Sequence, residues 1–410
     1  MIRKKLLRNY AALIAKCGVN IQKGQEVFIS ASVEQPEFVK LLVQECYKLK
    51  ASKVVVDWSY QPLQKINIKY RSLHNLSILD DYEEARWKHY AEKIPCRIFL
   101  ESDDPDGLNG IDQYKLSKSN QSKFQLIKKY RDQIENKYQW CIAAVPGKAW
   151  ARKLFPDLTS ARAIEKLWNE ILLCSRAYGN PFDSWKMHNN NLHNRCEYLN
   201  SLGLKELHYY ADNGTDITIG LIPQGEFKGG CEKTLQGIEI NPNIPSEECY
   251  ISPMKGKAEG VVYSTMPLSY QGQLIENFYI KFENGKAVAW NAEKNNDLLG
   301  QMISMDDGSA YLGECALVPV DSPISKSGIL FFNTLFDENA SCHLALGLGF
   351  QDTIHDYEKY SLDECRKMGI NDSIIHEDFM IGYEGLNIDG ITTNDSIIPI
   401  FRNGNWAFDI

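Results

Sequence analysis

The chain has 410 residues, which is too long for one ordinary hydrophobic core and predicts two domains. Hydrophobic residues make up 44% of the sequence and charged residues 24%, as in an ordinary globular protein, and no apolar run approaches the roughly 20 residues of a membrane span. The net charge of -8 argues against a nucleic-acid-binding protein, because such proteins normally carry a basic face.

The cysteines and the N-terminus together indicate a cellular compartment. The 11 cysteines include no Cys-x-x-Cys pair, and most stand among apolar residues, as Cys141 and Cys174 do. This pattern is typical of buried free thiols in a reducing compartment rather than of a disulfide framework. The basic start of the chain resembles a signal peptide, but Arg8 and Asn9 interrupt it before an apolar segment forms. We therefore predict a cytoplasmic protein that binds neither membranes nor nucleic acid.

The first half of the chain alternates between helical and strand patterns. The spacing of apolar residues predicts helices over residues 3–17 and 37–49. Short buried strands are predicted at Glu26–Ser30, Lys53–Trp58, Cys96–Leu100 and Trp140–Val145. Strands that alternate with helices indicate a parallel sheet with helices on its faces. No glycine-rich phosphate loop follows any of these strands, so this half carries no nucleotide-binding signature.

The character of the sequence changes after a further helical region, residues 161–202. From Leu207 onward, β-branched residues and turn pairs such as Asn213-Gly214 and Asn284-Gly285 become frequent, which is typical of short strands joined by hairpins. We therefore predict an α/β protein in which an N-terminal parallel-sheet α/β domain, residues 1–200, is followed by a β-rich α+β domain, residues 201–410.

Widely spaced carboxylates and imidazoles stand in apolar surroundings in the predicted second domain. The candidates are Glu247, Glu248, Glu314, His343, His376 and Asp378. A buried charge is costly unless it has a partner, and one metal ion can serve several such groups at once. Mixed oxygen and nitrogen ligation suits Zn, Co or Mn better than Ca. The combination predicts the centre of a two-metal hydrolase, in which three carboxylates facing two divalent ions leave a net charge near +1.

Each candidate also has an ordinary structural interpretation. His376 and Asp378 share one face of a predicted strand, 374–381, but such pairs also occur on strand surfaces. Residues 340–347 are predicted to form a short helix, in which His343 could be a hydrogen-bonded core residue.

The remaining acids can be explained in the same way. Glu314, in an apolar strand, needs a partner that could be Arg or His. Glu247 and Glu248 could form a solvated turn after Pro245. The metal-centre hypothesis therefore depends on the combination of residues and not on any one of them.

Four stretches around these residues resemble one known family: Asn243–Glu248, Gly313–Pro319, Asn333–His343 and His376–Gly382. The resemblance extends to Tyr10–Gly24, Asn213–Asp216 and Arg402–Trp406. On these motifs the chain is similar to the thermophilic-aminopeptidase family, the aminopeptidase T and aminopeptidase S type of dinuclear metallopeptidases, along essentially its whole length.

The resemblance implies a dinuclear site on the β-rich C-terminal domain. The metal ligands it implies are Glu248, Glu314, His343, His376 and Asp378, with Glu314 bridging the two ions. It also implies that Glu247 lies beside the ligands, and we expect Glu247 or Glu314 to carry the proton to the leaving amine. The family is known for releasing N-terminal residues from peptides and for forming dimers. Peptide substrates, two divalent ions per chain and a homodimer are therefore expected.

One residue departs from the family pattern. Members place a tyrosine at the metals seven residues after the metal-binding histidine, and here that position is Phe350. Phenylalanine cannot supply the phenol as a ligand or proton donor, so either another group such as Tyr357 supplies it or turnover is altered. Two alternatives therefore stay open: a metal-dependent hydrolase of another bond, and a metal-binding homologue with impaired catalysis.

Overall fold

The computed structural model describes residues 4–410, and the chain divides into two compact units. The first unit comprises the chain up to residue 187 with segments 231–246 and 271–273, and the second comprises residues 188–230, 247–270 and 274–410. The boundary near residue 200 stays a prediction about which parts of the chain fold independently. Between residues 4 and 410 no helix is both long and apolar enough to cross a membrane.

The secondary structure consists of helices and strands with the following bounds. The helices are α1 (Lys4–Leu13), α2 (Pro36–Lys48), α3 (Gln61–Tyr70), α4 (Leu73–Ser77), α5 (Asp81–Lys93), α6 (Gln113–Ile134), α7 (Lys148–Leu154), α8 (Ser160–Cys174), α9 (Pro181–Ser201), α10 (Asn296–Ile303), α11 (Pro323–Ser327), α12 (Thr334–Asp337) and α13 (Leu362–Met368). The strands are β1 (Glu26–Ser32), β2 (Lys53–Ser59), β3 (Cys96–Glu101), β4 (Trp140–Ala144), β5 (Leu204–Tyr210), β6 (Asp216–Leu221), β7 (Glu232–Lys233), β8 (Glu239–Ile240), β9 (Asn243–Ile244), β10 (Cys249–Ile251), β11 (Pro253–Tyr263), β12 (Leu268–Tyr270), β13 (Gln273–Glu283), β14 (Lys286–Lys294), β15 (Leu312–Leu317), β16 (His343–Gly347), β17 (His376–Met380), β18 (Asn387–Thr392), β19 (Ile397–Arg402) and β20 (Asn405–Trp406).

The first unit is built on a five-stranded parallel sheet in the order β2-β1-β3-β4-β9. Its central strand β1 is apolar on both faces, because Val27 and Ile29 on one face are fully buried and Phe28 on the other is only 8% exposed, as expected for a sheet that helices cover on both sides. Because β1 pairs with both β2 and β3, the chain changes direction across the sheet between β1 and β3. The predicted parallel-sheet α/β region is confirmed.

The second unit contains a nine-stranded sheet and a four-stranded antiparallel sheet in the order β10-β15-β16-β17. The four-stranded sheet buries one face in the main hydrophobic core of the unit, to which Cys315, Leu344 and Phe379 contribute. Successive strand residues point to opposite faces, so the residues that alternate with these apolar ones lie on the other face of the sheet. The predicted fold class, a parallel α/β part followed by a β-rich part, is confirmed.

The predicted helix over residues 340–347 is wrong. His343–Gly347 is instead the strand β16, which pairs with β15 on one side and β17 on the other. Alanine and leucine at positions 344–346 favour a helix locally, but a central position in a sheet outweighs the weak local preference. Gly347 ends the strand in a left-handed conformation with φ of +104°.

Candidate metal centre

The second face of the four-stranded sheet gathers the residues proposed from the sequence. Glu314 pairs with Ala345, and Ala345 pairs with Asp378, so the two carboxylates lie on one line across three strands. His343 and His376 lie two residues from Ala345 and Asp378 respectively, and they therefore share this face.

A β-bulge places Glu314 on this face. The register between β15 and β16 shifts between Leu312 and Glu314, at Gly313. A Cβ atom at Gly313 would lie 2.2 Å from the carbonyl oxygen of Leu348 and 2.5 Å from that of Gly347. Only glycine permits this close approach of two main chains.

The ligand atoms form two groups that share Glu314. Glu248, Glu314 and His343 make one group and Glu314, His376 and Asp378 the other, and within each group the atoms lie within 4.8 Å of one another. His343 Nε2 lies 3.3 Å from Glu248 Oε2, and His376 Nε2 lies 3.0 Å from Glu314 Oε2 and 3.3 Å from Asp378 Oδ1. The five residues are thus brought together, and the solvated-turn interpretation of Glu248 does not fit because this residue is only 8% exposed.

Main-chain carbonyl groups hold both imidazoles in place. His343 Nδ1 donates to the carbonyl oxygen of Ser341 at 3.2 Å, and His376 Nδ1 donates to that of Leu348 at 2.7 Å. Each ring therefore presents Nε2 to the carboxylates, which is the usual arrangement of a metal-binding histidine.

The electrostatics of this face call for positive charge. Burial raises the pKa of Glu314 to about 7 although His376 opposes the shift. Burial lowers the pKa of His343, but the hydrogen bond to Glu248 and the nearby Asp378 outweigh it and raise the pKa to about 10. Asp378 Oδ1 is buried and accepts no hydrogen bond from residues 4–410, although His376 Nε2 lies 3.3 Å from it. A divalent cation would supply the charge and the missing partner, so the residues present fit a metal site.

Glu338 is a further buried acid at this site, and the sequence reasoning did not select it. Burial raises its pKa well above the usual value, and the nearby Asp378 and Glu248 add to the shift, so the carboxyl lies close to the candidate ligands although it belongs to neither ligand group. Asn339 Nδ2 donates to Glu338 Oε1 at 3.2 Å. Glu338 lies within Asn333–His343, one of the stretches that resemble the family, and this could have pointed to it. The local sequence there was instead interpreted as a turn.

Glu247 lies beside Glu248 but belongs to neither ligand group. It is 7% exposed, its backbone N–H donates to Asn339 Oδ1 at 2.6 Å, and its carboxylate lies 3.9 Å from His188 Nε2. The structure therefore holds this acid in a fixed position next to the candidate ligand.

Phe350 packs against the site. The centroid of its ring lies 4.7 Å from that of His376 and 5.8 Å from that of Tyr250. The phenol of Tyr250 donates to Asp352 Oδ2 at 3.3 Å. Tyr357, suggested from the sequence as a substitute phenol, packs against a small apolar cluster that includes Ile222.

Comparisons with known proteins identify the family of this chain. The family model described as thermophilic metalloprotease (M29) matches residues 3–406, and the chain belongs to that family. It is therefore a peptidase, a hydrolase of peptide bonds, and the resemblance noted in the sequence motifs is confirmed.

Several relatives match along nearly the whole chain. The aminopeptidase AmpS of Bacillus subtilis is 41% identical over 98% of this chain and 98% of its own length. Aminopeptidase 2 of Geobacillus stearothermophilus is 37% identical over 99% of both chains. The solved structure of wild-type AmpT from Thermus thermophilus superposes with a TM-score of 0.89 at 33% identity and covers 99% of this chain and 100% of its own.

Proposed function

We propose that this protein is a metal-dependent aminopeptidase whose centre holds two divalent ions. The first ion would be held by Glu248, Glu314 and His343, and the second by Glu314, His376 and Asp378. The observation that carries this proposal is the sharing of Glu314, because one carboxylate common to two ligand groups is what a bridging ligand requires. Carboxylate and imidazole donors favour Zn, Co or Mn.

Divalent ions at this face would polarise the scissile carbonyl and lower the pKa of a bound water. The residues of the chain supply the remaining functions. The carboxyl groups of Glu247 and Glu338, both buried beside the ligands, can accept hydrogen bonds from the α-ammonium group of a peptide. Glu247 or Glu314 receives the proton of the attacking water and delivers it to the leaving amine.

Metal analysis of full-length variants tests the ligand assignment. We expect about two ions per chain in the unchanged protein and one or fewer in Glu314→Gln and in His376→Ala. Glu283→Gln, which changes an exposed acid of the same unit that pairs with Lys281, is the matched control and should keep its metal. Undiminished metal content in both Glu314→Gln and His376→Ala would exclude the assignment.

A second assay tests the kind of peptidase. The protein should release residues one at a time from unblocked peptides and leave their N-acetylated counterparts intact, because acetylation removes the charge that the buried acids would meet. Equal cleavage of both would identify an endopeptidase. A protein that binds two ions but cleaves neither would support the alternative of a homologue with impaired catalysis.

A homodimer and a cytoplasmic location are further parts of this proposal. The dimer is supported by large apolar side chains on the surface of β2, α3 and the turn between them: Trp58, Tyr60, Leu63, Ile66 and Tyr70, which are 48–74% exposed. Exposed apolar groups at this density are typical of protein–protein interfaces. The location is supported by the cysteines, since all eleven are free thiols. Light scattering of the purified protein would measure the mass directly.

A further inference from the structure

A cavity of about 490 Å³ lies within the first unit, at the carboxyl end of the parallel sheet. It is lined by Ser32 at the end of β1, Ser102 just after β3, and residues of α3. These positions flank the point between β1 and β3 where the chain changes direction across the sheet. Open α/β sheets bind small ligands in this crevice, and the volume is in the usual range for such sites.

The charged side chains that line the cavity carry both signs and are not paired with one another. Glu34 and Asp103 follow the ends of β1 and β3, and Lys65 and Lys69 stand one turn apart on α3. In the part of the chain that the structure describes, none of these four forms an ion pair. Opposite charges that line one cavity without forming an ion pair are available to a ligand that carries both a positive and a negative group.

The wall of the cavity is held rigidly by main-chain contacts. The side-chain amide of Gln61 donates to the carbonyl oxygen of Asp104 at 3.0 Å and its oxygen accepts the N–H of Asp104 at 3.0 Å. A Cβ atom at Gly147 would lie 2.0 Å from the carbonyl oxygen of Ser102, so the chain passes close behind this wall. The loop after β3 therefore presents Asp103 in a defined position.

Ser102 carries an unused hydrogen-bonding group at the same wall. The residue is 8% exposed, and its hydroxyl has no hydrogen-bond partner within the described residues. A buried hydroxyl without a partner costs on the order of 1–3 kcal/mol. A polar ligand in the cavity could supply that partner after rotation of the side chain.

The lining excludes strongly charged ligands of either sign. Glu34, Asp103 and Asp104 would repel a phosphate, and two lysines would repel a polycation. Pro62 adds apolar surface for a side chain.

We infer that the cavity binds a small zwitterion, a free amino acid or a short peptide. Glu34 and Asp103 take its ammonium group, and Lys65 and Lys69 take its carboxylate. This binding goes beyond the proposed function, because no residue of the cavity belongs to the metal centre. It does not require the protein to cleave peptides.

Calorimetric titration of the full chain tests the inference, with Glu314→Gln as the background so that the metal centre does not cleave the probe. The cavity variants described below separate binding in the cavity from any binding at that centre. L-leucine and leucyl-leucine are the two probes, and the tighter of them identifies the source of the ligand. We expect one site per chain. N-acetyl-leucine lacks the ammonium and leucinol lacks the carboxylate, so each should bind at least tenfold more weakly than leucine.

Variants of the cavity locate the site. Lys65→Gln/Lys69→Gln should weaken binding at least tenfold, and so should Asp103→Asn. The control Lys40→Gln/Lys93→Gln removes the same charge from exposed lysines outside the cavity and should bind as the background does. Melting curves verify that every variant is folded.

Three results would each overturn the inference. These are failure of both probes to bind, equal binding of leucine and of N-acetyl-leucine or leucinol, and unchanged binding in the cavity variants. Metal content and peptidase activity of the unchanged protein are measured separately. Failure of the proposed aminopeptidase function can therefore be distinguished from failure of ligand binding in the cavity.

Discussion

Replacing Gly313 by alanine should damage the metal centre without altering any ligand. The new Cβ would lie 2.2 Å from the carbonyl oxygen of Leu348, whereas an ordinary contact begins at 3.4 Å, so the two main chains must separate by roughly 1 Å. The same carbonyl accepts the Nδ1 hydrogen of His376. Its movement would turn the imidazole, while the neighbouring Glu314 shifts with the bulge.

The expected cost of this overpacking is about 1–3 kcal/mol of unfolding free energy. The melting temperature should fall by several degrees. Metal content after dialysis against a fixed metal concentration should fall, and kcat/KM should fall at least tenfold. Gly300→Ala is the matched control, because it adds the same methyl group to a helix where the nearest atom lies at 3.2 Å. If Gly313→Ala keeps the stability, metal content and activity of the control, the proposed link between the bulge and the histidine is wrong.

Two further substitutions test the surroundings of the site and the fold. Phe350→Tyr places a phenol beside His376 and should raise kcat at unchanged metal content. The gain in transition-state stabilisation should approach the ~2.7–4 kcal/mol that one oxyanion donor contributes elsewhere. An unchanged kcat in this variant, together with a lower kcat in Tyr357→Phe, would assign that role to Tyr357 instead. Burial, with help from Asp103, raises the pKa of Glu101 from its ordinary 4.5 to about 7. The pKa of Glu101 is higher in the folded than in the unfolded protein, so the stability that Glu101 contributes below about pH 4.5 is lost as the pH rises to about 7. Glutamine does not titrate. The unfolding free energy of Glu101→Gln relative to the unchanged protein should therefore increase over this window by on the order of 2–3 kcal/mol. Chemical denaturation at several pH values measures this, and a pH-independent difference between the two proteins would contradict it.

Local patterns were sufficient where one strand carries two residues of interest. The alternation of residues in β17 placed His376 and Asp378 on one face, and the structure confirms this strand. Continuous apolar segments likewise predicted the positions of β1 to β4 of the parallel sheet. The predicted burial was right for the central strand β1 but wrong for β2, which has no buried residue because it lies at the edge of the sheet.

Contacts between distant segments were not predictable in the same way. The strand β9 has two residues, too few for any periodic pattern, yet it joins the parallel sheet beside β4. β16 was misread because its composition favours a helix, and only its two neighbouring strands determine its conformation. Glu338 was missed because its importance lies in its proximity to Asp378 and Glu248, which are far from it in sequence.

The carbonyl groups that hold the two imidazoles have a consequence for how this site tolerates mutation. Ser341 and Leu348 hold His343 and His376 through the main chain, so their own side chains are not what orients the rings. A substitution at either position that the packing admits should therefore leave the orientation of the rings unchanged, as long as the backbone path is kept. Insertions or deletions beside them should not be survived, because they displace the carbonyl groups themselves. Evolutionary change beside the two histidines is thus expected to be limited more strictly in spacing than in the identity of these two side chains.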